Sequence, residues 1–285
     1  MSEPRSWLFV PADSERKIAK ALGSEADAII LDLEDSVASQ QKPAAREIVR
    51  SLRPESGTPP LWVRVNPLAS EFLKDDLEIL ANAAIHGIVL PKAECGTDVE
   101  ELASRTGNIP IHAIVTETAA SLFGLMSYRV PGVPLAAMSW GAEDLSAALG
   151  ALSKYDADGS LSFTYRMARS LCLAGAVAAC VQPVDGVFAD FRDPDGLRAE
   201  AEAAAREGFT GKLAIHPDQV AVINAAFSPS AEDIAHAEAI VAAFEAEPNA
   251  GVLSVGGRMV DRPHLLQARR VLERAATGDE HGNYN

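Results

Sequence analysis

The chain has 285 residues, 48% of them hydrophobic, enough to build one large α/β domain or two small ones. Its formal net charge of -15 argues against nucleic acid or an anionic membrane as partner, since both demand clustered Lys and Arg. An anionic ligand would need a local basic pocket.

Met1 to Arg5 leads straight into a strand-like run, with no signal peptide, and no apolar stretch approaches the roughly 20 residues of a membrane helix. The expectation is a soluble, cytoplasmic protein. Short β-rich runs then recur at Ser6 to Val10, Ala28 to Asp32, Leu61 to Val65, Gly87 to Leu90, Ile111 to Val115, Leu135 to Ser139, Val181 to Val184 and Leu213 to Ile215. Near-continuous apolar character, as in "AIILDL" and "GIVLP", marks strands buried on both faces, and the intervals are long enough for crossover helices. "AAREIVRSL" and "FLKDDLEILANAA" carry the helical spacing of apolar residues. Eight such units predict a closed (β/α)8 TIM barrel over residues 1–226. The open doubly wound alternative normally has a Gly-rich loop after its first strand, whereas "PADSERK" has no glycine.

Beyond residue 226 the pattern changes to a C-terminal helical and hairpin extension over 227–285. "SPSAEDIAHAEAIVAAFEAE" reads as an N-capped Ala-rich helix, "GVLSVGGRMVD" as a hairpin turning at Gly256 and Gly257, and "PHLLQARRVLERA" as a last helix. The polar tail "TGDEHGNYN" is expected to fray. Cys95, Cys172 and Cys180 are odd in number, lack zinc-type spacing, and read as reduced core thiols.

In a barrel of this kind the reactive groups sit at the C-terminal strand ends. Those positions are Asp32, Glu34 and Asp35; Arg64 and Asn66; Lys92; Glu117; Glu143 and Asp144; Asp185; and His216. Glu117 and Asp144 follow adjacent strands, so their carboxylates can converge as ligands for a hard cation such as Mg²⁺, with Glu143 capping the next helix or bracing the loop. The bland alternative makes Asp144 the cap of a helix beginning at Leu145 and Glu117 the cap of the helix after it. Arg64, alternating out of "WVRVN", suits a carboxylate or a developing enolate oxygen. Strand period places Asp32 and Glu34 on one side, as a salt-bridged structural pair or as groups behind the metal that hold Arg64 or bound water. Asp35 is expected to end the strand and cap the turn; His216, before Pro217, is expected in a structural or ligand-backbone role rather than in proton transfer.

The motifs "RSWLFVPAD", "DAIILDLEDSVA", "WVRVNP", "VLPKAE", "GAEDL" and "AIHPDQ", in this order over nearly the whole chain, resemble the citrate lyase beta-subunit family, within the HpcH/HpaI aldolases. The resemblance implies a Mg²⁺-dependent carbon-carbon lyase, often trimeric, acting on a coenzyme A thioester such as citramalyl-CoA or malyl-CoA and releasing acetyl-CoA and a 2-oxo acid. It makes Glu117 and Asp144 the metal ligands and has Arg64 and Glu117 contact the substrate. It places Lys20, with Arg16 nearby and His216 as a further candidate, toward the coenzyme. It also makes Asp261, in "MVDRP", an acid or base carried on a C-terminal lid; the residues alone read it as an N-cap before Pro263. Ala12 departs from the family's usual glycine after "VP". Two rival expectations are a thioesterase on the same substrates and the beta subunit of a larger citrate-cleaving complex.

Overall fold

The chain was described by a computed structural model covering residues 3–282, with side chains through residue 276. Eight parallel strands close in chain order: β1 (Ser6–Pro11), β2 (Ala28–Asp32), β3 (Leu61–Arg64), β4 (Gly87–Leu90), β5 (Ile111–Ile114), β6 (Leu135–Ser139), β7 (Gln182–Asp185) and β8 (Gly211–Ala214). β8 completes the ring by pairing with β1, Ser6 opposite Lys212. The expected TIM barrel therefore forms. Its interior is packed by Trp7, Ala28, Ile30, Trp62, Val89, Ile114, Ala137, Val184 and Leu213, one side chain or two from each strand, so the cylinder is a core and not a pore.

Trp7 and Trp62 meet edge to face at 4.9 Å. Gly87 makes room for the larger ring, since a Cβ there would lie 2.2 Å from the Trp62 side chain. His112 packs against Trp7 and shares a 2.9 Å hydrogen bond with Ser139 Oγ through Nε2. Complete burial pushes its pKa down to about 3, so it stays neutral and serves packing.

Five strands differ from the sequence reading by one or two residues; β1 reaches Pro11, and β3 and β5 stop at Arg64 and Ile114. β7 runs one residue later than expected, and β8 begins two residues earlier, at Gly211. A lysine inside an apolar strand hid that start. The fully buried Lys212 ammonium lies 2.7 Å from Asp185 Oδ2, and Asp185 Oδ1 accepts from Arg169 Nε and Trp140 Nε1, each at 2.8 Å. Burial alone would raise the Asp185 pKa, but Lys212 and Arg169 draw it down to about 2. Asp185, which ends β7, is thus spent on a structural ion network and offers nothing to the mouth.

The residues divide into two compact units, Glu3–Asn224 and the segment from Ala225 onward. In the second, Ser230 caps the helix Ala231–Ala246 by exchanging hydrogen bonds with Asp233. Strands β9 (Val252–Val255) and β10 (Arg258–Asp261) form the expected hairpin, with positive φ at both Gly256 and Gly257, as a two-residue turn requires. Ala237, Ile240, Phe244, Val260, Leu265 and Ala268 form this unit's own core. The last helix, Arg262–Gly282, continues where fraying was expected; side chains from residue 277, His281 among them, and residues 283–285 lie outside the described part.

All three cysteines are free, but only Cys172 is a core thiol. Cys95 starts the helix Gly96–Thr106, and Cys180 ends the helix Phe163–Ala179 in an exposed left-handed cap. Helix termini, not packing, decide both. No described helix is long and apolar enough to cross a membrane.

Candidate active site

The end of β2 organises the barrel mouth. Asp32 is buried, and its two oxygens accept the backbone N–H groups of Glu34 (2.9 Å) and Ser36 (3.1 Å), fixing the turn after the strand. Asp35, expected to cap this turn, is exposed instead, because the strand alternation leaves Asp32 pointing to the free N–H groups. The same Asp32 oxygens grip Arg64 from β3 in a fork, Nε and Nη2 each at 2.7 Å. Arg64 lies 4.8 Å above the Phe9 ring, and its Nη1 is 3.0 Å from Glu34 Oε2. Burial favours a neutral Asp32, yet Arg64 and the turn N–H groups hold it below the ordinary carboxyl range.

The loop carrying Glu34 is held from behind. Buried Lys42 donates to the carbonyls of Leu33 (2.6 Å) and Glu34 (2.8 Å) and to Asn66 Oδ1 (2.9 Å). Asn66 in turn donates to Asp76, which pairs with Arg46. A cleft of about 490 Å³ opens here, lined by Glu34, Asp35, Lys42, Asn66, Phe72 and Lys92 among others.

Lys92, just past β4, occupies the centre of the acids with φ at 52°, a left-handed backbone rare for a residue with a side chain. Its N–H donates to Glu117 Oε2 at 2.5 Å, while its ammonium sits 2.5 Å from Glu34 Oε1 and 3.3 Å from Asp144 Oδ1. Burial opposes the charge, but Glu34, Glu117 and Asp144 outweigh it and raise the Lys92 pKa. A permanently protonated lysine cannot attack a carbonyl, so this arrangement does not favour imine chemistry. The sequence reading named Lys92 only as a strand-end residue; its position after Pro91, as the lone base in "VLPKAE", was the available signal.

Glu117 follows β5 and is buried; Asp144 lies in the first turn of the helix Ala142–Leu149 after β6. Neither caps a helix. That helix starts at Gly141 without a side-chain cap, and Glu117 takes the Lys92 N–H instead. Glu143 turns outward to an ion pair with Lys154, bracing the following loop. Burial, with repulsion from Asp144 and Glu34, pushes the Glu117 pKa up to about 8. Glu117 and Asp144 both lie against Lys92, one on its N–H and the other on its ammonium, so they share one side of the mouth. Gly141 permits the approach, because a Cβ there would meet Glu117 Cγ at 2.7 Å and Oε1 at 2.9 Å. Gly141→Ala is expected to keep the fold, since its φ of -125° and ψ of 104° suit alanine, but to weaken divalent-cation binding about tenfold by displacing Glu117. Calorimetric titration beside a melting curve checks both halves.

The donor set fits a hard divalent ion. Glu117 and Asp144 offer carboxylate oxygens, and Glu34, ion-paired to Arg64 and Lys92, adds negative charge behind them. When ionised, the five carboxylates of Asp32, Glu34, Asp35, Glu117 and Asp144 outnumber Arg64 and Lys92, so the cluster is net negative and attracts a cation. Among the described residues no three His, Cys, Asp or Glu side chains form a closed cage, so substrate and water would complete the shell.

The remaining candidates are placed by their own elements. Arg16 and Lys20 are exposed on the helix Glu15–Leu22, Lys20 in its last turn, where a cation suits the helix dipole. His216 is occupied by its own turn: Nδ1 accepts the Asp218 N–H at 3.3 Å, and the ring stacks on Phe191 at 4.8 Å. Asp261, at the end of β10, has its carboxylate 2.5 Å from His264 Nδ1, which lowers its pKa, and lies 3.5 Å from the His264 N–H, a loose cap of the last helix.

Residues 5–217 match the family described as HpcH/HpaI aldolase/citrate lyase. The chain belongs to that family. Residues 160–278 also match a carbon-carbon bond lyase of the TIM-barrel fold, which gives the class of enzyme. A (3S)-malyl-CoA thioesterase of Cereibacter sphaeroides is 39% identical over 95% of this chain and 94% of its own. The mitochondrial citramalyl-CoA lyase of Rattus norvegicus is 33% identical over 96% and 86%. The crystal structure of protein CitE from Mycobacterium tuberculosis, in complex with magnesium, acetoacetate and coenzyme A, superposes with a TM-score of 0.84 at 39% identity, covering 95% of this chain and 98% of that one.

Proposed function

We propose that this family member is a Mg²⁺-dependent lyase that cleaves a carboxylated 3-hydroxyacyl-CoA of the citramalyl-CoA or malyl-CoA type into acetyl-CoA and a 2-oxo acid. The observation that carries this is that Glu117 and Asp144 both lie against Lys92, and Arg64 joins them through Glu34, at strand ends of one barrel mouth where acids outnumber bases. Glu117 and Asp144 would hold the metal, which supplies Lewis-acid charge to substrate oxygens when bound.

The chain's own residues account for the rest. Asp32 binds one edge of Arg64 and Glu34 lies 3.0 Å from Nη1, which leaves one N–H on each of Nη1 and Nη2 for substrate oxygen. As the hydroxyl proton leaves to water and the O–H electrons form the carbonyl of the 2-oxo acid, the carbon-carbon bond breaks, its electrons pass toward the thioester carbonyl, and the fixed guanidinium offsets the charge that grows there. Asp32 and Glu34 keep that cation from moving, so little reorganisation is needed. The proton at the acetyl carbon is assigned to Asp261, a role drawn from the family resemblance. The cleft beside Lys92 offers room for part of the substrate; Arg16, Lys20 and His216 are kept as coenzyme contacts on the resemblance alone. Residues 1–226 would form the catalytic domain and 227–285 the lid, in a cytoplasmic enzyme.

A stripe of exposed apolar side chains, Phe163, Met167 and Leu171, spaced four residues apart on the helix Phe163–Ala179, supports a homo-oligomer, for which we propose the trimer. Sedimentation equilibrium of the full chain tests it, and a monomer at micromolar concentration rejects it.

The thioesterase relative favours a second reading, in which water attacks the thioester in the same site. Parallel measurement of free thiol and glyoxylate from malyl-CoA separates the two. Glyoxylate at least as abundant as thiol, and loss of both in EDTA, is the expected result. Thiol without glyoxylate would assign hydrolysis.

A further inference from the structure

We propose that the Lys92 ammonium is an internal counter-ion standing in for the metal, so that a divalent cation binds by displacing Lys92 from Asp144. This rests on the reading of Glu117 and Asp144 as metal ligands and adds a positioning residue to it.

Three observations place Lys92 in this role. First, one residue reaches carboxylates from three different loops, its amide on Glu117 and its ammonium on Glu34 and near Asp144. Its backbone is left-handed, φ 52°, a conformation in which a lysine is strained and glycine would not be. Second, the contacts are unequal. The ammonium is tight on buried Glu34 at 2.5 Å but loose on Asp144 at 3.3 Å and on Asp35 at 3.4 Å, both more exposed, and among the described residues Lys92 is the sole ion-pair partner of Asp144. Asp144 is therefore a contact that can give way, while Glu34 retains the ammonium. Third, Glu34, Glu117 and Asp144 all lie against Lys92, so without a cation there the ionised acids would repel one another across the mouth. Lys92 lowers that repulsion in the metal-free protein.

A counter-ion that must be displaced weakens the incoming ion. Lys92→Met should therefore bind Mg²⁺ about tenfold more tightly than wild type, because one competing positive charge is gone from a poorly solvated site. Lys92→Arg, which keeps the charge, should stay close to wild type. Calorimetric titration of Mg²⁺ into chelator-treated full-length protein reads this without any activity assay. Should Lys92→Met fail to fold, Lys92→Gly removes the same charge at a backbone conformation glycine accepts, and carries the same expectation. Unchanged or weaker Mg²⁺ binding in the folded, uncharged variant overturns the counter-ion role. Wild type that binds no Mg²⁺ overturns the ligand assignment and this proposal with it, an outcome visible before any variant is compared.

Discussion

Asp144→Asn is expected to abolish both Mg²⁺ binding and lyase activity, with the fold intact. The carboxylate is partly exposed and its one ion-pair partner, Lys92, remains held by Glu34, so removing its charge leaves no buried group unpaired. The metal would lose one of only two proposed protein ligands. A bound cation supplies several kcal/mol of charge stabilisation in such reactions, so the rate should fall by about 10³-fold or more. Titration calorimetry and the glyoxylate assay, run on the same preparation with a melting curve, check the three parts; a variant that keeps full Mg²⁺ affinity would exclude Asp144 as a ligand.

The pH dependence of wild type follows from the other ligand. Burial first, then Asp144 and Glu34, push the Glu117 pKa up to about 8, and a metal must displace that proton. Mg²⁺ affinity should therefore fall as the pH drops below about 8, with a proton released on binding. Stability of the metal-free protein has the opposite sign. A carboxyl raised in the folded state favours folding at low pH, and this contribution is lost as the pH rises from the ordinary carboxyl value of 4.5 to about 8. Added Mg²⁺ should restore the loss.

Arg64→Met carries the second large effect, and here stability and activity fall together. Asp32 is 1% exposed and Glu34 is 4% exposed, and Arg64 neutralises both. Removing one partner of a buried ion pair leaves an uncompensated charge and costs about 3–5 kcal/mol. In wild type the pair's stabilisation is present above the ordinary carboxyl pKa and is lost as the pH falls through the depressed Asp32 value. The variant should reverse that slope, gaining stability on mild acidification, because burial without Arg64 favours the protonated acid. Arg64→Lys separates the two roles: it returns a charge but not the two-pronged grip on Asp32, so it should recover part of the stability and little of the activity. Denaturant titrations between about pH 4 and 8 check the slope.

Much of the barrel was legible because parallel strands covered on both faces read as apolar runs, and these runs placed all eight strands to within a few residues. The eighth was read late because Gly211 and Lys212 look nothing like a strand, and the Asp185 carboxylate that accommodates the lysine comes from a different segment of the chain. The site was legible as a set of strand-end acids and one arginine, since barrel topology brings those ends to one rim. Lys92 was not legible as its centre. Its role depends on a positive φ and on three carboxylates carried by three separate loops, none of which leaves a local pattern.

The sequence by itself determined the strand count, the order of the polar strand ends and the separate C-terminal hairpin and helices, because each is a local matter of hydrophobic period and turn chemistry. Tertiary structure alone decided which acids are enclosed with internal cations, as Asp185 and Asp32 are, and which keep looser partners at the mouth, as Asp144 does. The reason is electrostatic: a carboxylate's chemistry depends on the charges within a few ångströms of it, and those charges come from parts of the chain that only folding brings near.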